Sequence, residues 1–318
     1  MKCIAFLGMA VVLAFGLVSA QEVTGGYSAQ VPVIDTVNCV LERPVALDTV
    51  YCTAEDSVIF GRFVSSIAGK DSLPFDSLIL QTASFFLGMP YVASTLEIEP
   101  EGLVVNLREL DCTTFVENVI ALSRMVAEGD TTFEAFCDQL RWVRYREGII
   151  RDYTDRLHYT SDWIYENDRK EVVKSLGEEE GWRPYTFCLN FMSTHSDSYR
   201  QLMTDSMLIP CIVEIEKEVS ERTGYYYIPK NNVDSFAVDI KNGDMVGFVT
   251  STKGLDISHV AIVTRVGEEL TFIHASSLAM KVIVNEESLQ HYVEKSKSCT
   301  GIILTRPLSP LRTRSLSK

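Results

Sequence analysis

The chain changes period near Tyr225, and that change decides the class of fold it can reach. Before it, apolar residues recur at helical spacing. Val58, Ile59, Phe63 and Ile67 mark a helix over residues 56–68, and Leu78, Ile79, Thr82 and Phe86 mark a second over residues 75–87. A loop follows from residue 88 to Leu110, and residues 131–223 read mainly as helix, with loop signals at 177–184. After Tyr225 come short β-branched runs split by turns. They predict strands over 244–250, 259–265, 270–275, 281–285 and 301–306, with a short helix at 286–294. Helices first and an antiparallel sheet afterwards predict an α+β fold. No repeat and no low-complexity tract interrupts this order.

The first residues bear on where the chain works. Lys2 precedes an apolar run over residues 4–18, and Val18-Ser19-Ala20 offers small side chains where a signal peptidase reads. The run is shorter than the ~20 residues a spanning helix needs, so residues 1–20 read as a signal peptide rather than a membrane anchor. Residues 21–55 are expected to be an irregular lead-in, 56–310 a single catalytic domain, and 311–318 a tail. With 43 acidic against 29 basic residues the net charge is −14, and no segment concentrates Lys or Arg. Nucleic acid and anionic membrane surfaces are therefore poor partners. Of eight cysteines, Cys3 lies in the leader, leaving Cys39, Cys52, Cys112, Cys137, Cys188, Cys211 and Cys299. An odd number in an oxidising compartment implies at least one free thiol, unless chains cross-link.

Cys112 is the thiol with a use. Cys112, Phe115, Val116, Val119, Ser123 and Val126 fall on one helical face, with Asp111 as N-cap, so the cysteine opens a helix. Free N–H groups and the helix dipole favour negative charge there, which predicts a lowered thiol pKa. The plainer reading is a small buried hydrophobe. His259 and His274 flank a hairpin turn at Gly267-Glu268-Glu269, and a tight hairpin centred there puts them opposite each other, Cβ atoms ~5 Å apart. One imidazole can then face a thiol while the other holds its far nitrogen. Two histidines satisfied in a core, or exposed on an edge, are the competing reading.

Leu87-Gly88-Met89-Pro90-Tyr91 and Leu110-Asp111-Cys112-Thr113-Thr114-Phe115, then Asn242-Gly243-Asp244-Met245-Val246, His259-Val260-Ala261-Ile262 and Ile273-His274-Ala275, resemble the ordered signature of NlpC-type cell-wall hydrolases. The match covers residues 88–117 and 242–285. The resemblance implies a papain-like core, in which a nucleophile-bearing helix packs on an antiparallel sheet. It implies Cys112 as nucleophile, His259 as base and His274 as the residue orienting it, with no metal or other cofactor. It implies that Tyr91 reaches over the site and that the Cys112 amide faces the developing oxyanion. Tyr91, Asp111 and Asp256 are the candidate substrate-binding residues; for Asp256 a turn aspartate bonding its own backbone is the alternative.

Two features depart from the signature. Thr113-Thr114 replaces Ser-Gly, and Val92-Ala93-Ser94-Thr95 replaces Trp-Gly-Gly. Cys112 and His259 also lie 147 positions apart, which demands a helical insertion over about residues 127–235. This long form, with His158-Tyr159-Thr160-Ser161-Asp162-Trp163-Ile164 and Phe191-Met192-Ser193-Thr194-His195, is similar to the N-acetylmuramoyl-L-alanine amidase-like branch. That branch implies cleavage between the lactyl group of an anhydro-muramic acid and L-alanine, in a small muropeptide. Three alternatives stand beside it. They are an endopeptidase cutting between D-glutamate and a diamino acid, a zinc hydrolase ligated by Cys112, His259 and His274, and a wall-binding protein without turnover. His158 and His195 read as structural or solvent-facing, Glu178-Glu179-Glu180 as a solvated loop, and Tyr225-Tyr226-Tyr227 as alternating strand residues.

Overall fold

The computed structural model describes residues 47–70, 72–178 and 182–310. The expected leader, most of the lead-in with Cys39, Glu179-Glu180 and the expected tail lie outside the described residues. In chain order, strand β1 (Val50–Tyr51) precedes helices α1 (Ala54–Ile67) and α2 (Phe75–Phe85); strand β2 (Leu103–Val104), parallel to β1, precedes α3 (Cys112–Glu128) and α4 (Phe133–Arg144). The stretch up to Tyr225 adds α5 (Thr160–Arg169), β3 (Val173–Ser175), β4 (Arg183–Pro184), α6 (Phe191–Thr194), α7 (Arg200–Thr204) and α8 (Leu208–Glu221). The remainder holds β5 (Tyr226–Pro229), β6 (Met245–Thr250), β7 (Ile257–Val266), β8 (Glu269–Ser276), β9 (Lys281–Val284), α9 (Leu289–Lys295) and β10 (Cys299–Pro307).

The main sheet runs β4-β5-β10-β6-β7-β8-β9, every pairing antiparallel, with β3 also on β10. Helices and an antiparallel sheet thus form a mixed α+β structure. The stretch 127–235 is less purely helical than its pattern predicts, because β3, β4 and β5 bind it to the sheet. Strands this short carry too few residues to show a period of two.

Both faces of the sheet are covered. Val260, Ile262, Ile273 and Ala275 face a core shared with α1 to α5, while Phe248, Ala261, Val263 and Phe272 face a second core closed by Leu289 and Val293 of α9. Helix α3 packs on β7 and β8. The sequence predicts one apolar face for α3, yet it is buried on nearly every side, because α2 and α4 cover what the sheet does not. That burial takes Glu117 with it, paired at 2.6 Å to the equally buried Arg144 of α4. Among the described residues no helix is long and apolar enough to cross a membrane.

Candidate active site

The N-terminus of α3 is built by its own residues. Asp111 accepts from the Thr114 amide at 2.8 Å, and the Thr114 hydroxyl faces the Asp111 amide at 2.9 Å, closing a capping box. This accounts for Thr114 standing where the signature has glycine. The Asp111 carboxylate, a candidate substrate contact, is engaged through Oδ1 by the helix it caps. Cys112 is the first helical residue, so its own N–H belongs to the group an α-helix leaves without an internal partner.

The thiol is 3% exposed, and burial, followed by the negative charge of Asp111, pushes it up to about 12. The Val260 amide and the Thr113 hydroxyl and amide pull the other way without prevailing. The direction is opposite to the lowered pKa expected from the helix terminus, with loss of water on burial the largest cause. Alkylation by iodoacetamide should therefore be slow at about pH 7, lag behind exposed Cys52 and Cys188, and rise about tenfold per pH unit toward pH 10. A Cys112 rate that levels off below about pH 8 would contradict this.

His259 and His274 are joined, Nε2 to Nδ1, at 2.7 Å. The pairing differs from the expected one. Ile262 pairs with Ile273 and Val266 with Glu269, a register that continues to place His274 level with Ala261 rather than His259. The turn is two residues, Gly267 (φ +64°) and Glu268, not three. The histidines are diagonal neighbours, which gives two rings room to meet head-on instead of crowding side by side. A bulge at Ser258 sits beside them: Phe248 pairs with His259 but Val249 with Ile257. Around the pair stand Phe248, stacked on His259 at 5.6 Å, and Phe272, edge-on to His274 at 4.8 Å. Burial lowers His259 to about 4; burial and then the His259 charge lower His274 to about 2. Both rings are neutral near pH 7.

Cys112 and His259 line one cavity of about 160 Å³. The resting sulfur makes its side-chain contact with the Thr113 hydroxyl, at 4.0 Å, and not with His259. Tyr91 is 8% exposed, and its phenol is raised by burial and then by the charges of Cys112 and Asp111, so near that sulfur it remains a hydrogen-bond donor. Asp256 lines the cavity, but its carboxylate accepts from the Ser161 amide at 2.6 Å and the Ile257 amide at 2.7 Å. The Asp256 carboxylate thus clamps α5 to β7 at the cavity wall. It works with Gly254, whose carbonyl accepts from Asn190 and Phe191 at 3.2 and 3.1 Å and whose φ of +81° suits glycine. The stretch between α4 and β5 thereby forms one wall of the cavity, contributing His158, Tyr159, Thr160, Met192 and Tyr199. His158, expected to be structural or solvent-facing, and Tyr199, which no motif marks, stand in this wall because α5 and α6 dock beside β7, which nothing local to them signals. His195 stays outside the lining, its Nδ1 bonded to the Phe191 carbonyl at 2.9 Å.

Solved structures resemble this chain to different degrees. A structure named N-acetylmuramoyl-L-alanine amidase, from Bacteroides uniformis, is 32% identical, with a TM-score of 0.68 over 74% of this chain and 99% of that one. A Bacteroides fragilis structure, provisionally named a xylanase, is 35% identical, with a TM-score of 0.66 over 71% of this chain and 99% of that one. A Legionella pneumophila structure at 24% identity has a TM-score of 0.58 over 80% of this chain and 97% of that one, a likeness of fold alone. No curated protein matches the chain. The model of the AmiA-like, N-acetylmuramoyl-L-alanine amidase-like family matches residues 81–302, which contain the whole cavity lining, and the chain belongs to that family.

Proposed function

We propose that this protein is an exported cysteine amidase of peptidoglycan fragments, with an NlpC-type, papain-like arrangement of nucleophile and base, cutting between an anhydro-N-acetylmuramoyl group and L-alanine. The observation that carries the reading is one cavity shared by a helix-opening thiol and an imidazole whose far nitrogen is held at 2.7 Å. With Nε2–H of His259 donating to Nδ1 of His274, Nδ1 of His259 is left as the basic nitrogen. The neutral pair sets the sequence of events. Sulfur attacks the lactyl carbonyl carbon as the thiol proton passes to His259, so no thiolate waits in the resting enzyme. The Cys112 amide lies where the oxyanion develops. Collapse breaks the carbon–nitrogen bond, His259 returns its proton to the departing alanine nitrogen, and a muramoyl thioester remains. Water then attacks the thioester, giving its proton to His259 and thence to sulfur, which releases the sugar acid.

Three alternatives fit less well. A glycosidase, as the Bacteroides fragilis name suggests for that protein, works with two carboxyl groups; the one carboxylate lining this cavity is held by backbone amides. A zinc site would separate two ligand nitrogens by about 3.3 Å on tetrahedral geometry; here they approach to 2.7 Å and share a proton. The endopeptidase would bring ionised carboxylates of D-glutamate and the diamino acid to the sulfur, and the described lining holds no cation to receive them. Incubation with anhydro-N-acetylmuramoyl tetrapeptide should release a peptide with a free L-alanine amino terminus plus the sugar acid, identified by mass spectrometry. Release of an intact muramoyl dipeptide would make the endopeptidase right instead.

A further inference from the structure

His158 lies in the cavity wall with one nitrogen already assigned. Its Nε2 meets the Tyr153 carbonyl at 2.8 Å, and a carbonyl only accepts, so Nε2 carries the proton. Nδ1 is then a bare lone pair, and among the described residues it has no partner. The ring is fixed edge and face: it lies 4.3 Å from the Tyr153 ring, which itself carries the Arg156 guanidinium at 4.9 Å. Burial and the positive charges of Arg156 and Arg146 hold His158 down to about 3, against the Tyr153 carbonyl, so it does not protonate at Nδ1 near neutrality. In the same wall, the Tyr199 hydroxyl makes no hydrogen bond to the described residues, and burial raises its pKa, so it keeps its proton. The neighbouring Tyr159 hydroxyl, by contrast, is occupied on both sides, by Glu216 at 2.6 Å and the Met192 amide at 2.9 Å.

The wall therefore offers one fixed acceptor and one available donor, both uncharged. A secondary amide presents the complementary pair, an N–H and a carbonyl. Building on the amidase reading, we propose that His158 and Tyr199 form a subsite for the acetamido group of the amino sugar. His158 Nδ1 accepts the acetamido N–H and the Tyr199 hydroxyl donates to its carbonyl. The acetamido group sits on the ring carbon beside the one bearing the lactyl ether, so a contact there fixes the carbonyl under attack relative to Cys112. A free amine at that position, being cationic, would meet Arg156 and Arg146 behind His158 and be disfavoured.

The test is a substrate pair, anhydro-N-acetylmuramoyl peptide and the same compound with the acetamido nitrogen replaced by an ester oxygen. Wild-type enzyme should lose about tenfold in kcat/KM on the ester, which has no N–H to give. His158→Phe should lose about as much on the natural amide and nothing further on the ester. Tyr199→Phe should lose on both alike, since both keep the carbonyl. Equal discrimination by wild type and His158→Phe would overturn the assignment. A second measurement needs neither turnover nor a variant: nitrogen NMR of labelled histidine in the wild-type protein. It should find Nδ1 of His158 unprotonated, and shifted when anhydro-N-acetylmuramic acid is added. A proton on Nδ1, or no shift with the sugar, overturns the subsite. Failure to cleave the peptide with that shift present would overturn the amidase reading while leaving the subsite standing.

Discussion

Cys112→Ala is expected to reduce release of L-alanyl peptide from the anhydro-muramoyl substrate by ~10⁴-fold or more, and His259→Ala to fall within about tenfold of it. The near-equality follows from the neutral resting pair. A thiol held up to about 12 gives almost no thiolate by itself, so without His259 nothing takes its proton. In an enzyme with a preformed thiolate, loss of the base would spare the first step. His274→Gln should cost far less, since an amide oxygen can still accept from His259 Nε2–H. Circular dichroism of each variant should match wild type. Residual turnover by Cys112→Ala sinks the nucleophile; activity lost with chelator and regained with zinc would revive the metal reading.

The second large effect lies below the cavity and concerns folding. Glu117 and Arg144 are buried, paired at 2.6 Å, and Arg144 also donates to the Val104 carbonyl at 2.6 Å. Glu117→Leu leaves a guanidinium buried without its counter-ion, and removing one member of such a pair costs about 3–5 kcal/mol. Arg144→Leu should cost less, because the two ions differ in what they can shed. Burial already raises the Glu117 pKa against the pull of Arg144, so an orphaned carboxyl takes up a proton, whereas guanidinium cannot lose one. Urea unfolding should rank the variants in that order, with the double Leu variant more stable than Glu117→Leu alone. Equal losses for both single variants would show that the pair is not what holds α3 to α4.

Sequence reading reached far where local signals are strong. The β6 to β10 runs, the helix opened by Cys112 and the hairpin bearing both histidines are all legible, because β-branched runs, capping and a glycine turn are each written within a few residues. Three things are not. The two-residue slip in the histidine register depends on which residues form the turn, and Gly267-Glu268-Glu269 admits both readings. Asp256 does line the cavity, but what holds its carboxylate, the Ser161 amide, lies 95 positions away and leaves no local signal. The cavity wall carrying His158 and Tyr199 exists only once the Asp256 clamp and the Gly254 carbonyl seat α5 and α6 beside β7. The direction of the thiol pKa was also missed, since burial on the very face the pattern predicts, with Asp111 beside it, raises the pKa rather than lowering it.

The proton on Cys112 also bears on how long the enzyme survives. Peroxide and disulfide exchange consume thiolates, so susceptibility to oxidation follows ionisation and access together. A sulfur that is 3% exposed and holds its proton to about pH 12 offers neither while the cavity is idle. In the mechanism proposed above, ionisation is deferred to the moment when a carbonyl carbon stands against the sulfur, and the bond then formed is a thioester rather than a sulfenic acid. Cys137 and Cys299 are buried as well, whereas Cys52 and Cys188 are exposed, and oxidative ageing of the protein should reach those two first.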